Sequence, residues 1–286
     1  MSTQAQKYWG RTGYVEIEGA NNTFGNESGP YRLDFKFDVT KFGSFYNEFS
    51  VGILGLNHET INELTVWNPQ DAVSQARQVK VYAGYESDGK PSLLLEGGIW
   101  RAFPTPPPEM WLNMDCMSWI AKKEPLDEPG MVHGTPQEIF EKVAKEVGSP
   151  PYWGIPPMKN AKPTSFMMTG TKDLQPERFA QKFNLCVYRE DGVLKCIENH
   201  GERENTPTDV QDVDIDTGLL SVGNLTIAGA TVRVRLNTRY TLNSWINLKS
   251  TLIPKASGLY YVIKIRHVGH LRGDEWYTEL TCLRKV

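Results

Sequence analysis

Cysteine is scarce in this sequence: there are four in 286 residues. Cys116, Cys186, Cys196 and Cys282 show no Cys-x-x-Cys spacing, which argues against both a disulfide framework and a zinc ribbon. A chain this long can bury a sizeable core without such staples. An excess of one charge is missing too. The net charge is -3 with 23% charged residues, so the basic footprint that nucleic-acid binding leaves is absent. No run approaches the roughly 20 apolar residues of a membrane span, and the opening MSTQAQKYWGRTGYVEIEG holds neither a basic nor an apolar stretch. These features lead to the expectation of a chain folded in a reducing cytoplasm with four buried free thiols. Cys186 and Cys196 flank a predicted hairpin, where a packed thiol pair is expected rather than a disulfide.

The usual chemical signatures are missing as well. The sequence has no Gly-x-Ser-x-Gly elbow, Walker loop, Gly-x-Gly-x-x-Gly turn or His-Glu-x-x-His helix.

What is present is alternation. In Tyr31 to Val39, the side chains Leu33, Phe35, Phe37 and Val39 alternate with Arg32, Asp34, Lys36 and Asp38, the period-two pattern of a half-buried strand. A second strand is predicted over Phe49 to Leu54, then a short helical turn capped by Asn57. Val79 to Tyr85 and Leu93 to Trp100 bracket a hairpin loop, Glu86 to Pro91, with Asp88-Gly89 as its turn. Residues 8 to 103 therefore read as an antiparallel β domain. The proline run from Phe103 to Glu109 continues neither strand nor helix, and predicts a domain boundary.

Beyond it, Trp111 to Trp119 reads as a strand, and Gly134 to Gly148 as the best-marked helix in the chain. Thr135 is its N-cap, Pro136 stands at the first helical position, Glu138 completes a capping box and Gly148 stops it. Ile139, Phe140, Val143 and Val147 share one face. A shorter helix at Pro176 to Phe183 leads into two strands joined at Asp191-Gly192. The acidic stretch from Glu198 to Asp216 lacks the spacing and glycine of a calcium loop, and predicts a solvated linker. Four strands complete the chain: Ala230 to Leu236, Ile246 to Lys249, Leu259 to His267 and Trp276 to Leu283.

One stretch invites a chemical reading. In RHVGHLRGDEWYTELTCL, two of the five histidines, His267 and His270, stand three residues apart with a carboxylate close behind. A zinc site needs a third protein ligand, and His133 and His200 lie in other segments, so structural turn histidines are the expectation. A metal-dependent hydrolase built on the pair is the opposing reading. Tryptophans and tyrosines raise a second alternative, a carbohydrate- or receptor-binding protein, although most occupy strand positions where packing explains them. Pro150 to Pro157 is the exception, predicted to be irregular, with Tyr152 and Trp153 placed either to meet a partner or to cover the middle domain. Asp88 and Gly89 at the hairpin tip are the other candidate contacts.

The order of parts resembles the baseplate hub proteins of contractile-tailed bacteriophages, with the tail-tube-like double-barrel layout of the T-even type. The resemblance rests on Phe49 to Asn57, the turn Glu59 to Leu64, Val79-Lys-Val-Tyr-Ala-Gly-Tyr85 and Glu96-Gly-Gly-Ile99 for a first barrel. Gly218-Leu-Leu, Ala230 to Asn237, Gly258 to Val262 and His267-Val-Gly-His270 before Trp276 carry it for a closing barrel. It implies a mainly β fold: a first barrel at residues 1–103, a middle α+β domain at 104–216 and a second barrel at 217–286. It further implies a homotrimeric ring that matches the six-fold tail tube to the three-fold central spike. Its partners would be the tail tube protein, the spike and other baseplate proteins, with DNA passing through the channel unbound and no membrane involved. No catalytic residue, metal or cofactor is implied, and the place would be the virion tail, assembled in the host cytoplasm.

Overall fold

The computed structural model describes residues 10–18, 23–25, 33–42, 47–66, 77–118, 124–155, 162–190, 192–198 and 210–284. The chain divides into two compact units. One gathers residues 1–41, 48–120 and 207–286, and the other 42–47 and 121–206.

The strands of the first unit come from both ends of the sequence. They are β1 (Arg11–Ile17), β2 (Thr23–Gly25), β3 (Asp34–Phe42), β4 (Glu48–Leu54), β5 (Gln78–Tyr85), β6 (Ser92–Pro104) and β7 (Trp111–Met117), with helix α1 (His58–Leu64) after β4. In the second unit follow β8 (Gly130–Gly134), α2 (Pro136–Glu146), β9 (Pro151–Trp153), β10 (Thr164–Met168), α3 (Gln175–Phe183), β11 (Leu185–Glu190) and β12 (Val193–Glu198). The chain then supplies β13 (Val210–Val213), β14 (Leu219–Gly223), β15 (Gly229–Arg235), β16 (Trp245–Leu248), β17 (Gly258–His270) and β18 (Trp276–Arg284).

In the first unit the strands join into one 13-stranded sheet in the order β14-β15-β18-β17-β3-β4-β7-β6-β5-β1-β2, with β16 against β17 and β13 against β16. Alternation explains the long strands. Phe35, Phe37 and Val39 on β3, Phe49, Val51 and Ile53 on β4, and Leu112, Met114 and Cys116 on β7 are buried in one cluster, while Lys36, Ser50 and Asn113 between them point the other way. Burying each such large apolar side chain contributes about 1.5–3 kcal/mol. The C-terminal strands bury a set of their own, among them Val232, Val234, Ile246, Leu248, Tyr260, Ile265 and Leu280.

Three expectations change here. Among the described residues the sheet is open and closes no barrel, because β17 is thirteen residues long. It pairs with β16 and β18 of its own segment and with β3 of the N-terminal one, so the ladder runs on where two separate barrels were expected. The proline run after Phe103 is the turn of a hairpin: β6 and β7 pair antiparallel up to Pro104 opposite Leu112. Thr105 closes it, its N–H donating to the Trp111 carbonyl at 2.8 Å and its hydroxyl accepting from Trp111 N at 2.8 Å. The acidic stretch is likewise more ordered at its end than a linker. Val210–Val213 is a strand in parallel register with Trp245–Leu248, and Val213 is fully buried. Trp119 and Asp191, which the sequence placed in a strand and a turn, lie outside the described residues.

The second unit follows its caps. Thr135 Oγ1 accepts from Glu138 N at 3.3 Å and Glu138 Oε2 accepts from Thr135 N at 2.7 Å, the reciprocal bonds of a capping box. Gly148 takes the left-handed conformation just past the helix (φ 65°), which glycine adopts without strain. The inward face of α2 places Phe140 5.5 Å from Phe179 of α3, which in turn lies 5.9 Å from Phe166 and 4.7 Å from Phe183. Among the described residues no helix is long and apolar enough to cross a membrane.

The cap yields a test. Thr135→Ala should lower stability by about 1 kcal/mol in urea denaturation, while Thr135→Ser, which keeps the hydroxyl, should leave the midpoint nearly unchanged. An unchanged midpoint in the alanine variant would remove the cap from this account.

Candidate functional site

The histidine hairpin is β17 and β18, and its two histidines have different surroundings. An odd spacing puts His267 and His270 on opposite faces of a strand, so they do not converge. His267 faces the core, directly across from Thr278, with Nδ1 2.9 Å from Thr278 Oγ1. That hydroxyl also accepts from Asn237 N at 3.0 Å. Burial, helped by the nearby Lys41 charge, pushes the His267 pKa down to about 3. Its Nε2 is buried without a partner among the described residues.

His270 closes the turn. Its Nε2 lies 2.8 Å from Asp34 Oδ2, its N–H donates to Glu275 O at 2.8 Å, and its ring meets Trp111 edge-on at 5.5 Å. Asp34 Oδ1 accepts from Arg272 N at 3.2 Å. Arg11 donates to the carbonyls of His270 at 3.0 Å, Asp274 at 3.1 Å and Gly273. The sequence ended this strand at His267, but it continues through His270. Gly269 is required there by close packing: a Cβ at this position would stand 2.3 Å from the Phe37 ring, which packs against Trp276 at 5.5 Å. Among the described residues no group of three histidine, cysteine or carboxylate side chains could hold a metal ion.

All four cysteines are buried and free. Burial pushes the Cys186 thiol up to about 11 and that of Cys282 to about 12, and raises Cys116 and Cys196 by the same cause. Cys186 stands opposite Ile197, and Cys196 opposite Val187, so the two are offset by one residue in the ladder.

The candidate contact residues fall in two places. Asp88 ends a short 3-10 turn, Glu86–Asp88, at the tip of the β5–β6 hairpin, and accepts from Ser87 Oγ at 3.2 Å. Gly89 follows with φ 88° and nothing within 4 Å of where a side chain would begin. Both are exposed. In the second unit, Pro151–Trp153 is a short strand rather than the irregular segment expected, paired in parallel with β12. Proline is tolerated at its first position. Tyr152 is 53% exposed, whereas Trp153 turns inward, 5.7 Å from Phe140. Pro156 and Pro157 lie outside the described residues.

Sequence reasoning missed a groove of about 630 Å³ in the first unit, lined by Tyr85, Asp88 and Lys90 on one side and by Asp212, Arg235 and Arg239 on the other. Roughly 120 residues separate its walls, and no local pattern announces that they meet.

The family model for Baseplate hub gp41 matches residues 30–282. The chain belongs to that family. Solved structures with the same fold include a tail protein from Neisseria meningitidis MC58, at 11% identity and TM-score 0.62 over 97% of each chain. The 43 kDa tail protein of prophage MuSo2 from Shewanella oneidensis is similar at 11% identity and TM-score 0.60, over 96% of this chain and 98% of that one. The E. coli c3393 protein is described as a component of the type VI secretion system and as structurally similar to the T4 bacteriophage tail proteins gp27 and gp5. It matches at 9% identity and TM-score 0.55, over 95% of this chain and 77% of its own. No curated protein matches in sequence.

The buried histidine of this baseplate hub family member makes its stability depend on pH. The unfolded chain binds a proton at His267 near pH 6.5, whereas the folded chain does so only near 3. Stability from this group is therefore complete above about pH 6.5 and falls as the pH drops from there toward 3, by up to about 1.4 kcal/mol per unit. Urea midpoints at pH 7.5 and 5.0 should show a smaller decline for His267→Gln than for the parent chain, whatever the variant's stability at pH 7.5. Equal declines would show that His267 is not the source.

Proposed function

We propose that the protein is a structural baseplate hub of a phage tail, forming a trimeric ring that adapts the six-fold tail tube to the three-fold central spike and leaves a channel for DNA. The observation that carries this is the family match over residues 30–282. A fold shared along nearly the whole chain with tail proteins supports it, as does the likeness to a protein itself described as similar to gp27 and gp5. Its partners are then the tail tube protein, the spike and other baseplate proteins, and its place is the virion tail, after assembly in the host cytoplasm.

In this reading the N-terminal and C-terminal β segments, which join in one sheet and each bury a set of side chains of their own, supply the subunit's share of the ring. The net charge of -3 suits a wall that DNA passes without being held, since binding would require cations to neutralise phosphates. Asp88 and Gly89 at one hairpin tip and Tyr152 at the edge of the second unit are contact points with neighbouring proteins. Trp153 takes part from beneath, by fixing the strand that presents Tyr152. The reading assigns no catalytic residue, metal or cofactor.

A carbohydrate-binding surface would need several coplanar exposed rings. The exposed large aromatic side chains among the described residues are Phe42 and Tyr152, which make no such platform.

Light scattering of the purified chain should give about three times 32.4 kDa, and negative-stain images of the same peak should show a ring with a central hole. A chain that stays monomeric even with its spike protein present would overturn the hub reading.

A further inference from the structure

The two most exposed large apolar side chains among the described residues are Ile227, at 95%, and Leu252, at 88%. They stand on different turns of the C-terminal segment, residues 224–228 between β14 and β15 and residues 249–257 between β16 and β17. The register brings these turns to one end of the sheet. Gly229 at the start of β15 and Tyr261 near the start of β17 both lie opposite Leu283 of β18, so the turns flank the end of β18 about 10 Å apart, two strand spacings. Leu225 and Ile253 beside them are exposed as well.

Hydrogen bonds within each turn fix the backbone that presents these side chains. Thr226 N donates to Gly229 O at 2.8 Å, Thr226 Oγ1 accepts from Gly229 N at 3.1 Å, and Arg284 N donates to Ala228 O at 2.8 Å. In the second turn Ile253 N donates to Ser250 Oγ at 3.1 Å and Ser250 N to Ser257 Oγ at 3.0 Å. Internal bonds of this kind are what a segment needs where no water can reach its backbone. Charge opposes entry into an apolar medium, and across residues 224–228 and 250–257 the one charged side chain is Lys255, whose long stem lets its ammonium stay in the polar layer.

The size and shape of the patch select its occupant. Four aliphatic side chains expose a few hundred Å², short of the roughly 800 Å² per partner that a stable protein interface buries. A second copy of this chain offers the groove described above, but Ser92, Gln211, Asn237 and Thr238 line it, a polar wall that gives two apolar tips nothing to fill. A bilayer needs no matching pockets, because apolar side chains on a convex tip enter its acyl boundary wherever they meet it.

We propose that the turns at residues 224–228 and 249–257 dip Ile227 and Leu252 into the surface of a phospholipid bilayer. The inference goes beyond the hub reading and does not rest on it, and it replaces the expectation that no membrane is involved. Insertion on this scale is comparable with that of a single acyl chain, for which the binding constant is on the order of 10⁴ M⁻¹, so the attachment is reversible.

The test is flotation of the full chain with vesicles of phosphatidylcholine alone, at low and high salt. The chain should float equally at both, since a neutral lipid surface leaves little for salt to screen. Ile227→Asp combined with Leu252→Asp should weaken binding at least tenfold, with an unchanged far-UV spectrum and urea midpoint. Met131→Asp combined with Met167→Asp, the exposed cross-strand pair of the second unit, should float like the parent. Failure of the parent chain to float, or equal loss in both double variants, would overturn the proposal. So would a lipid-free trimer that falls apart on Ile227→Asp and Leu252→Asp, which would make the tips a contact between copies. A monomeric chain that floats through Ile227 and Leu252 would sink the hub reading alone. A trimeric ring that stays behind when the vesicles rise would sink this inference alone.

Discussion

The strand Gly258–His270 is the constraint on which the first unit depends. Residues from both ends of the chain share one sheet because this strand is long enough to pair with β16 and β18 and also with β3. It also changes phase. Tyr260 and Val262 are buried before the register shift between Val262 and Lys264, and Ile265, His267 and Gly269 after it. An extra residue at a bulge moves every later side chain to the other face, so one strand can present an apolar side to two sets of neighbours. The junction with the N-terminal segment is polar: Arg266 Nε donates to Asp38 Oδ1 at 2.8 Å, Leu271 N donates to Phe35 O at 2.9 Å, and Asp34 receives the His270 turn. The Arg266–Asp38 pair belongs to a row on the solvent side with Arg233–Glu279 and Arg101–Asp115. Exposed pairs of this kind contribute at most about 1 kcal/mol each, so their weight is in fixing register more than in stability.

The buried ionisable groups shift in one sense. Burial raises the thiols of Cys116, Cys186, Cys196 and Cys282, raises Tyr240 to about 12, and lowers His267. Each moves away from neutral pH, in the direction that keeps the group uncharged inside. A general base or nucleophile needs the opposite, a pKa brought toward the working pH by a partner in a cleft. These buried groups serve the fold.

Much of this was legible in the sequence because the signals were local. Phe35, Phe37 and Val39 show their inward side by alternation alone, and Trp276, Thr278, Leu280 and Cys282 do the same on β18. The helix capped by Thr135 needed four residues to be read. What escaped depends on pairing at a distance. The prolines after Phe103 break a strand locally, and only the β6–β7 register shows that the break is a hairpin turn. Val210–Val213 looked like part of an acidic linker because its hydrogen bonds go to β16, some 35 residues on. The single sheet in place of two barrels follows from the reach of β17, and a strand's length says nothing of how many partners it will have. The two histidines could be read as structural because no third ligand stands near them in the sequence, yet the Arg11 clamp on their turn comes from the far end of the chain.

A fold shared with two tail proteins at 11% identity and with a type VI secretion system component at 9% is a statement about which features carry it. An antiparallel sheet needs apolar side chains of fitting size on one face and little else at most positions, so its sequence can drift far while its strand order holds. Partner choice cannot rest on so permissive a pattern, because many sequences satisfy it equally. It has to be written where the pattern imposes nothing, at exposed positions off the buried face. There each charge is free of the demands of packing, and an unpaired cation such as Arg239 persists at no cost to the core.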